Sequence, residues 1–151
     1  MFDELSDLYQ QVILDHSKRP RNFGKLEGAN HTAEGHNPLC GDHVTIFMAL
    51  DGDRIKEISF LGDGCAIYKA SASLLTESLK GKRKDEVKSL FDRIRQMVTT
   101  GRVEGDLGKL AAFAGVHKFP ARVKCAILAW HAVKAALSGE GETVSTETED
   151  M

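Results

Sequence analysis

Apolar and polar residues alternate in the first half of the chain, and the alternation predicts a β-hairpin. Residues 44–50 place every second side chain on one face, the pattern of a strand with one buried side: Val44, Ile46, Met48 and Leu50. Asp51-Gly52-Asp53 is a turn signal, and residues 54–61 predict the returning strand. Ile55 breaks the alternation, so we expect an irregular register beside the turn. Residues 21–42 predict loop, with one short strand near residues 31–35.

Helical spacing of apolar residues dominates the rest of the chain. The first helix is predicted to follow Asp3 and to end near Lys18, because Pro20 disfavours helical geometry in the residue before it. Further helices are predicted over residues 65–80, from residue 85 onward, over residues 107–116 and from Pro120 onward. The order of elements predicts the α+β class, with helices packed on one face of a small antiparallel sheet.

The last predicted helix carries an apolar stripe that we expect to face the core. The stripe consists of Val123, Ala126, Ile127, Trp130, Val133 and Leu137. Cys125 lies beside this stripe, in line with Leu128, Ala129 and Ala132. The thiol of Cys125, the last of the three cysteines in the sequence, is therefore expected inside a helix.

Length and composition indicate how many domains to expect and in which cellular compartment. The chain has 151 residues, of which 42% are hydrophobic and 28% charged, as expected for one domain with a substantial core. No apolar run approaches the ~20 residues that cross a bilayer, and the N-terminus lacks a signal-peptide pattern. Three cysteines do not make a disulfide scaffold, so we expect a cytoplasmic protein.

The charge is unevenly distributed. The net charge is −2, yet residues 139–151 hold five Asp or Glu and no Lys or Arg. This composition predicts a single folded domain over residues 1–138 and a disordered acidic tail over residues 139–151. Basic clusters at residues 18–21 and 80–84 have no interleaved aromatic residues, so we expect no nucleic-acid binding. Solvated surface is the favoured interpretation of these clusters, ahead of docking to an acidic protein.

The stretch Asn-Pro-Leu-Cys-Gly-Asp at residues 37–42 carries the strongest chemical signal. If the backbone is extended, Cys40 and Asp42 point to the same face. A thiolate and a carboxylate on so short a tether form half of a tetrahedral zinc site, and Cys65 and Cys125 would complete it. The alternative is that all three thiols are small buried hydrophobic groups.

Histidines are rival ligands for such a site. His43 would face away from Cys40 on an extended strand, which makes it a poor co-ligand. His31, His36 and His117 lie in or near predicted loops and stay open as alternatives. The two helical histidines, His16 and His131, are predicted to be polar-face or core residues.

Three cysteine-centred motifs carry a family resemblance. They are residues 37–42, Gly-Asp-Gly-Cys-Ala-Ile at 62–67 with Ala-Ser-Ala-Ser at 70–73, and the run at 119–132 that contains Val-Lys-Cys-Ala-Ile-Leu-Ala-Trp-His. Together with the opening helix, they resemble the SufU branch of the NifU/IscU-type iron–sulfur cluster assembly proteins. The resemblance spans residues 5 to about 138. It implies a three-stranded antiparallel sheet flanked by helices, a SufE/NifU-like fold.

The resemblance also implies the site and the function. The implied ligands are Cys40, Asp42, Cys65 and Cys125, and the implied metal is Zn²⁺. The scaffold branch of the family has a histidine immediately before its third cysteine, where this chain has Lys124, and it lacks the extra segment found here at about residues 93–113. Both features favour the SufU branch.

The implied activity is sulfur transfer. A cysteine desulfurase of the SufS type would offer persulfide sulfur, Cys40 would accept it, and a downstream iron–sulfur scaffold would receive it. The chain would then be a sulfurtransferase that acts as partner and activator of the desulfurase. One alternative is a scaffold that assembles a [2Fe–2S] cluster on the same residues, with iron in place of zinc. Another is a domain in which zinc only holds the fold.

Overall fold

The sheet contains the three expected antiparallel strands and one short additional strand. The structure, a computed structural model, describes residues 4–37, 41–138 and 143–145. Strands β1 (His31–Asn37), β2 (Asp42–Asp51) and β3 (Arg54–Asp63) pair antiparallel. Strand β4 (Thr143–Ser145) pairs parallel to β1, which gives the spatial order β3-β2-β1-β4.

The hairpin β2–β3 follows the predicted pattern. The side chains of Val44, Ile46 and Met48 are fully buried, and their neighbours in sequence are exposed or half-buried. The register shifts between Ala49 and Leu50, and Ile55, opposite Leu50, is buried. The predicted irregularity beside the turn is therefore confirmed, because the shift turns Ile55 towards the core.

The described residues form four α-helices and one 3-10 helix. The α-helices are α1 (Glu4–Lys18), α2 (Ala66–Leu79), α3 (Lys84–Thr100) and α4 (Pro120–Leu137). Helices α2 and α4 pack on one face of this sheet, and the others pack on these two helices. The 3-10 helix spans Gly108–Lys118, where the sequence predicted an ordinary helix over residues 107–116. Its two ends are closed by hydrogen bonds over three residues, and the glycines at 108 and 115 weaken α-helical preference. None of the described helices combines the length and apolarity needed to cross a bilayer.

Helix α4 is the central element of the fold. The sequence predicted that only one stripe of this helix is buried, but the buried surface extends around most of the helix. Nearly every side chain from Val123 to Ala136 is buried, because α4 packs on the sheet, on α2 and on α3. Gly35 of β1 allows the close approach. A Cβ at Gly35 would lie 3.1 Å from Leu128 Cδ1 and 3.4 Å from Ala132 Cβ. Cys125 is thereby held between the helix and the end of the sheet.

A buried polar cluster fixes α1 to α2. His16 is 1% exposed, and its Nδ1 lies 2.7 Å from the hydroxyl of Ser73. The same hydroxyl accepts a hydrogen bond from the backbone N–H of Arg21, at 2.8 Å. His16 and His131 are both core residues, as the sequence allowed.

The C-terminal tail differs from the prediction at three residues. Disorder was predicted over residues 139–151, yet Thr143–Ser145 form strand β4 beside β1. Backbone pairing to an existing sheet edge needs no apolar side chains, so composition did not indicate it. The other residues of the predicted tail lie outside the described part of the chain.

Candidate metal centre

Asp42 is the first residue of β2 and is completely buried. Its register partner across the sheet is Asn37, the last residue of β1. The Oδ1 atom of Asp42 accepts a hydrogen bond from the backbone N–H of Cys65, at 2.9 Å. A single carboxylate therefore links the start of β2 to the start of α2.

Cys65 is the N-cap residue of α2. Its Sγ accepts a hydrogen bond from the backbone N–H of Tyr68, at 3.4 Å, in place of the usual hydroxyl or carboxylate cap. Hydrogen bonding with the Cys125 thiol, and secondarily with the backbone N–H groups of Tyr68 and Ile67, lowers the pKa of Cys65 to about 6. Burial and the Asp42 charge act in the opposite direction. Cys65 is half-buried, and these contacts favour its thiolate form.

Cys125 reaches the same place from α4. It is 2% exposed, and its Sγ lies 3.5 Å from the side-chain nitrogen of Asn37. The same nitrogen lies 3.4 Å from Asp42 Oδ2. The side-chain N–H groups of Asn37 thus donate towards both the carboxylate of Asp42 and the thiol of Cys125, and they tie these two groups to the end of β1.

The three predicted ligands that the structure describes converge. One donor atom from each of Asp42, Cys65 and Cys125 lies within 4.8 Å of the other two. Cys65 Sγ is 3.9 Å from Asp42 Oδ2. A thiolate this close to a fully buried carboxylate is repelled by it, and a bound cation relieves that repulsion. The donor set of sulfur and carboxylate oxygen suits Zn²⁺, so these residues fit the implied metal.

The remaining predicted site residues divide into three groups. Cys40 lies outside the described residues. His43 is exposed, on the opposite side of β2 from buried Asp42, as the alternation predicted. His31, His36 and His117 have no atom in the group of converging donors found among the described residues.

Three residues that contribute to the site were not singled out from the sequence. Asn37 was quoted only as part of a motif, although the period-two pattern of β1 places it on the buried face. Tyr68 packs against the site, and its buried hydroxyl has no partner among the described residues. Burial and, secondarily, nearby Asp42 raise the pKa of Tyr68 above its usual range. Gly64 lies where a Cβ would collide with Asp42 Oδ1.

One side of the centre opens into a groove, here called the site groove. Both thiols, Cys65 and Cys125, line it, and its volume is about 1070 Å³. Its other walls come from α1, the 3-10 helix and the first turns of α4. Two large apolar side chains at this groove, Leu14 and Phe119, are about half exposed, at 51% and 50%. Among the described residues, this groove is therefore the route by which a partner would approach the two thiols.

Fold and site together define a class: a small α+β domain in which two thiols and a carboxylate meet beneath an open groove. Comparison of the sequence with known families gives the family. The chain belongs to the NifU-like N terminal domain family, whose model matches residues 8–139. The family resemblance read from the motifs is confirmed.

Relatives with two different descriptions are equally similar to this chain. It is 41% identical to the "iron-sulfur cluster assembly scaffold protein IscU" of Streptococcus pyogenes serotype M1 over 136 residues, 89% of this chain and 85% of that one. It is also 41% identical to the "zinc-dependent sulfurtransferase SufU" of Bacillus subtilis strain 168 over 138 residues, 90% and 93% of the two chains.

A solved structure supports the fold. The crystal structure of FiSufU from Fervidobacterium islandicum AW-1, described as an "iron-sulfur cluster assembly scaffold protein for SUF system", matches with a TM-score of 0.78. The two are 38% identical, and the match covers 84% of this chain and 94% of that one. The predicted α+β class, with a three-stranded antiparallel sheet and helices on one face, is confirmed.

Proposed function

We propose that this protein is a zinc-dependent sulfur acceptor that takes persulfide sulfur from a cysteine desulfurase for iron–sulfur cluster assembly in the cytoplasm. Zinc would be held by Cys40, Asp42, Cys65 and Cys125. The observation that carries the proposal is the convergence of Asp42, Cys65 and Cys125, which come from a strand, a helix cap and a helix interior.

Chain connectivity supports Cys40 as the fourth ligand. Cys40 is two residues before Asp42, so its Cα is within about 7 Å of the Cα of Asp42. The backbone N–H of Gly41 donates to the carbonyl of Asn37 at 2.9 Å, which closes the ends of this connection beside the site. Cys65 is the N-cap of α2 and Cys125 lies inside α4, whereas Cys40 precedes strand β2 in the sequence. Cys40 is therefore the one we expect to leave the metal and react.

The residues present prepare the thiols for this chemistry. A bound Zn²⁺ keeps its thiol ligands deprotonated at neutral pH and brings no redox chemistry of its own. The N–H groups of Tyr68 and Asn37 donate to Cys65 and Cys125 and hold these sulfurs in place. The site groove gives the desulfurase access from one side.

The transfer step is a thiol exchange. The Cys40 thiolate attacks the terminal sulfur of a cysteine persulfide on the desulfurase, and a new S–S bond forms on Cys40. The S–S bond of the donor persulfide breaks, and the donor cysteine leaves as a thiolate. Electrons balance without an external oxidant or reductant. A downstream iron–sulfur scaffold then receives the sulfur.

Two features of this chain support the sulfur acceptor over the scaffold. Lys124 precedes Cys125, where the family resemblance places a histidine in the scaffold branch. The segment at about residues 93–113, absent from that branch, forms the end of α3, a connection and the start of the 3-10 helix beside the site groove.

Mass spectrometry of the protein after incubation with a desulfurase and cysteine tests the proposal. We expect the wild type to gain a sulfur atom on Cys40 and to stimulate the desulfurase. Cys40→Ser should lose both properties by on the order of 10-fold or more while retaining its fold. The proposal is wrong if Cys40→Ser relays sulfur at the wild-type rate.

The scaffold function is the second candidate, and the equal identity to a protein described as an IscU scaffold favours it. Cys₃Asp ligation suits a labile [2Fe–2S] cluster. Anaerobic reconstitution with iron and sulfide distinguishes the two. A stable visible absorption at stoichiometric yield would support the scaffold. A purely structural zinc would instead show as unfolding on chelation, with no effect on any desulfurase.

A further inference from the structure

Two histidines face each other across β1 and β2, on the side of the sheet opposite to α4. His36 and His43 are register partners in this antiparallel pair, so their Cα atoms are about 4.5–5.5 Å apart. Both side chains are exposed, whereas Asn37 and Asp42, their neighbours in sequence, are buried on the other face. The histidine pair is therefore separate from the candidate metal centre, although both lie at the same end of the sheet.

A carboxylate completes a group of three donors on this outer face. The imidazole rings of His36 and His43 have their centroids 6.4 Å apart, with an angle of 62° between the ring planes. The Nε2 atom of His43 lies 3.5 Å from Oε1 of Glu34. Glu34 is two residues before His36 in β1 and is therefore on the same face. Two imidazoles and one carboxylate thus surround a single patch of the sheet.

The spacing of the two rings is close to that of a metal site. Zinc binds imidazole nitrogen at about 2.0–2.1 Å, so the centroids of two imidazoles on one tetrahedral zinc are about 5 Å apart. The rings of His36 and His43 therefore need to approach by only about 1 Å. The side chains of His43 and Glu34 are 48% and 51% exposed, so they can turn towards a shared ion without breaking core packing.

The local charge also favours a cation. Asp63 is the register partner of His43 on β3 and is exposed, so its carboxylate lies on the same face as the histidine. Glu34 and Asp63 thus approach His43 from the two neighbouring strands. Strands β1 and β2 contain no Lys or Arg that could neutralise these carboxylates.

We propose that His36, His43 and Glu34 form a second metal site, which binds one exchangeable divalent ion of the zinc class. Imidazole and carboxylate are suitable ligands for such ions, and three protein ligands leave one tetrahedral position open for water. All three side chains are exposed, so the ion equilibrates with free metal and is lost when free metal is removed. The proposal goes beyond sulfur transfer, because this site requires neither the thiols nor a desulfurase.

Titration of the purified protein with Zn²⁺ beyond the first equivalent tests the site. We expect the ring resonances of His36 and His43 to shift in NMR spectra as this further zinc binds. In calorimetry, His36→Asn, His43→Asn and Glu34→Gln should each weaken the binding of the further zinc on the order of 10-fold or more. His31→Asn is the matched control, because His31 is on β1 opposite Met48 and has no histidine across the strand pair. That variant should bind as the wild type does.

Three results would overturn the proposal. The first is wild-type affinity for the further zinc in any of the three variants that remove a donor. The second is an equal shift of the His31 ring resonances, since zinc would then bind histidines without selecting the pair. The third is an affinity that rises with protein concentration together with dimer formation in sedimentation, since two copies would then share the ion. If a variant unfolds, the ring resonances of the wild type decide.

Discussion

Gly64→Ala perturbs the centre without replacing a proposed ligand. Gly64 has φ +159°, a conformation that L-residues rarely adopt, and a Cβ there would collide with Asp42 Oδ1 and lie 2.6 Å from Tyr68 Cδ2. Asp42 cannot move away freely, because Oδ1 holds the N–H of Cys65 at 2.9 Å. The substitution therefore forces either backbone strain or loss of that hydrogen bond.

The magnitude follows from these two contributions. Backbone strain at such a φ costs about 1–3 kcal/mol. Loss of a hydrogen bond to a charged group costs about 1.5–3 kcal/mol. We expect the free energy of unfolding to fall by about 1–3 kcal/mol if one of them occurs and by about 2.5–6 kcal/mol if both do. Zinc affinity should fall on the order of 10-fold or more, because Asp42 loses its support.

Urea unfolding and competition with a zinc chelator measure the two effects. Gly81→Ala is the matched control, because Gly81 has φ +86° and no atom lies within 4 Å of the position that a Cβ would take there. That variant should cost only about 1–2 kcal/mol and leave zinc affinity unchanged. If Gly64→Ala behaves like Gly81→Ala in both assays, the account of how Asp42 is positioned is refuted.

Three further predictions concern the fold. Burial lowers the pKa of His16 below its usual value of 6.5, so the unfolded chain binds more protons than the folded one at mildly acidic pH. The free energy of unfolding should therefore fall as the pH drops from about 7.5 to about 5.5, and His16→Asn should abolish this part of the fall. Trp130→Ala should cost about 3–5 kcal/mol in urea unfolding, because Trp130 is 1% exposed. Gly35→Ala should cost about 1–3 kcal/mol by separating α4 from β1.

Each of these predictions has its contradicting result. If the pH dependence is unchanged in His16→Asn, a group other than His16 causes it. The charged groups that face this histidine are Glu77, Asp15, Arg21 and Lys109. For Gly35→Ala the control is Gly115→Ala, which meets open space and should be neutral or slightly stabilising. Equal losses in the two glycine variants, or a loss below about 1 kcal/mol in Trp130→Ala, would contradict the packing described for α4.

Local patterns predicted the elements well where one physical constraint decides them. The period-two burial of Val44, Ile46 and Met48, and the irregularity caused by Ile55, were readable because one face of the hairpin is buried. Pro120 and Gly81 marked a helix start and a helix end through their backbone geometry. Thr143–Ser145 could not be predicted, because their pairing depends on an available sheet edge.

The site was only partly predictable. Cys65 and Cys125 were candidates by residue type, but their separation of 60 positions in sequence gives no distance in space. Only the fold brings them to Asp42. Asn37 and Gly64 were missed as site residues because their roles, a bridging hydrogen bond and an empty volume, exist only in three dimensions.

Metal analysis of the freshly purified protein tests the central claim most directly. The account predicts about one zinc per chain, retained in the wild type and lost in Cys125→Ser, with neither iron nor acid-labile sulfide present. Stoichiometric iron and sulfide without zinc would contradict it and identify the site as a cluster scaffold. Full zinc retention in Cys125→Ser would contradict the assignment of the ligands.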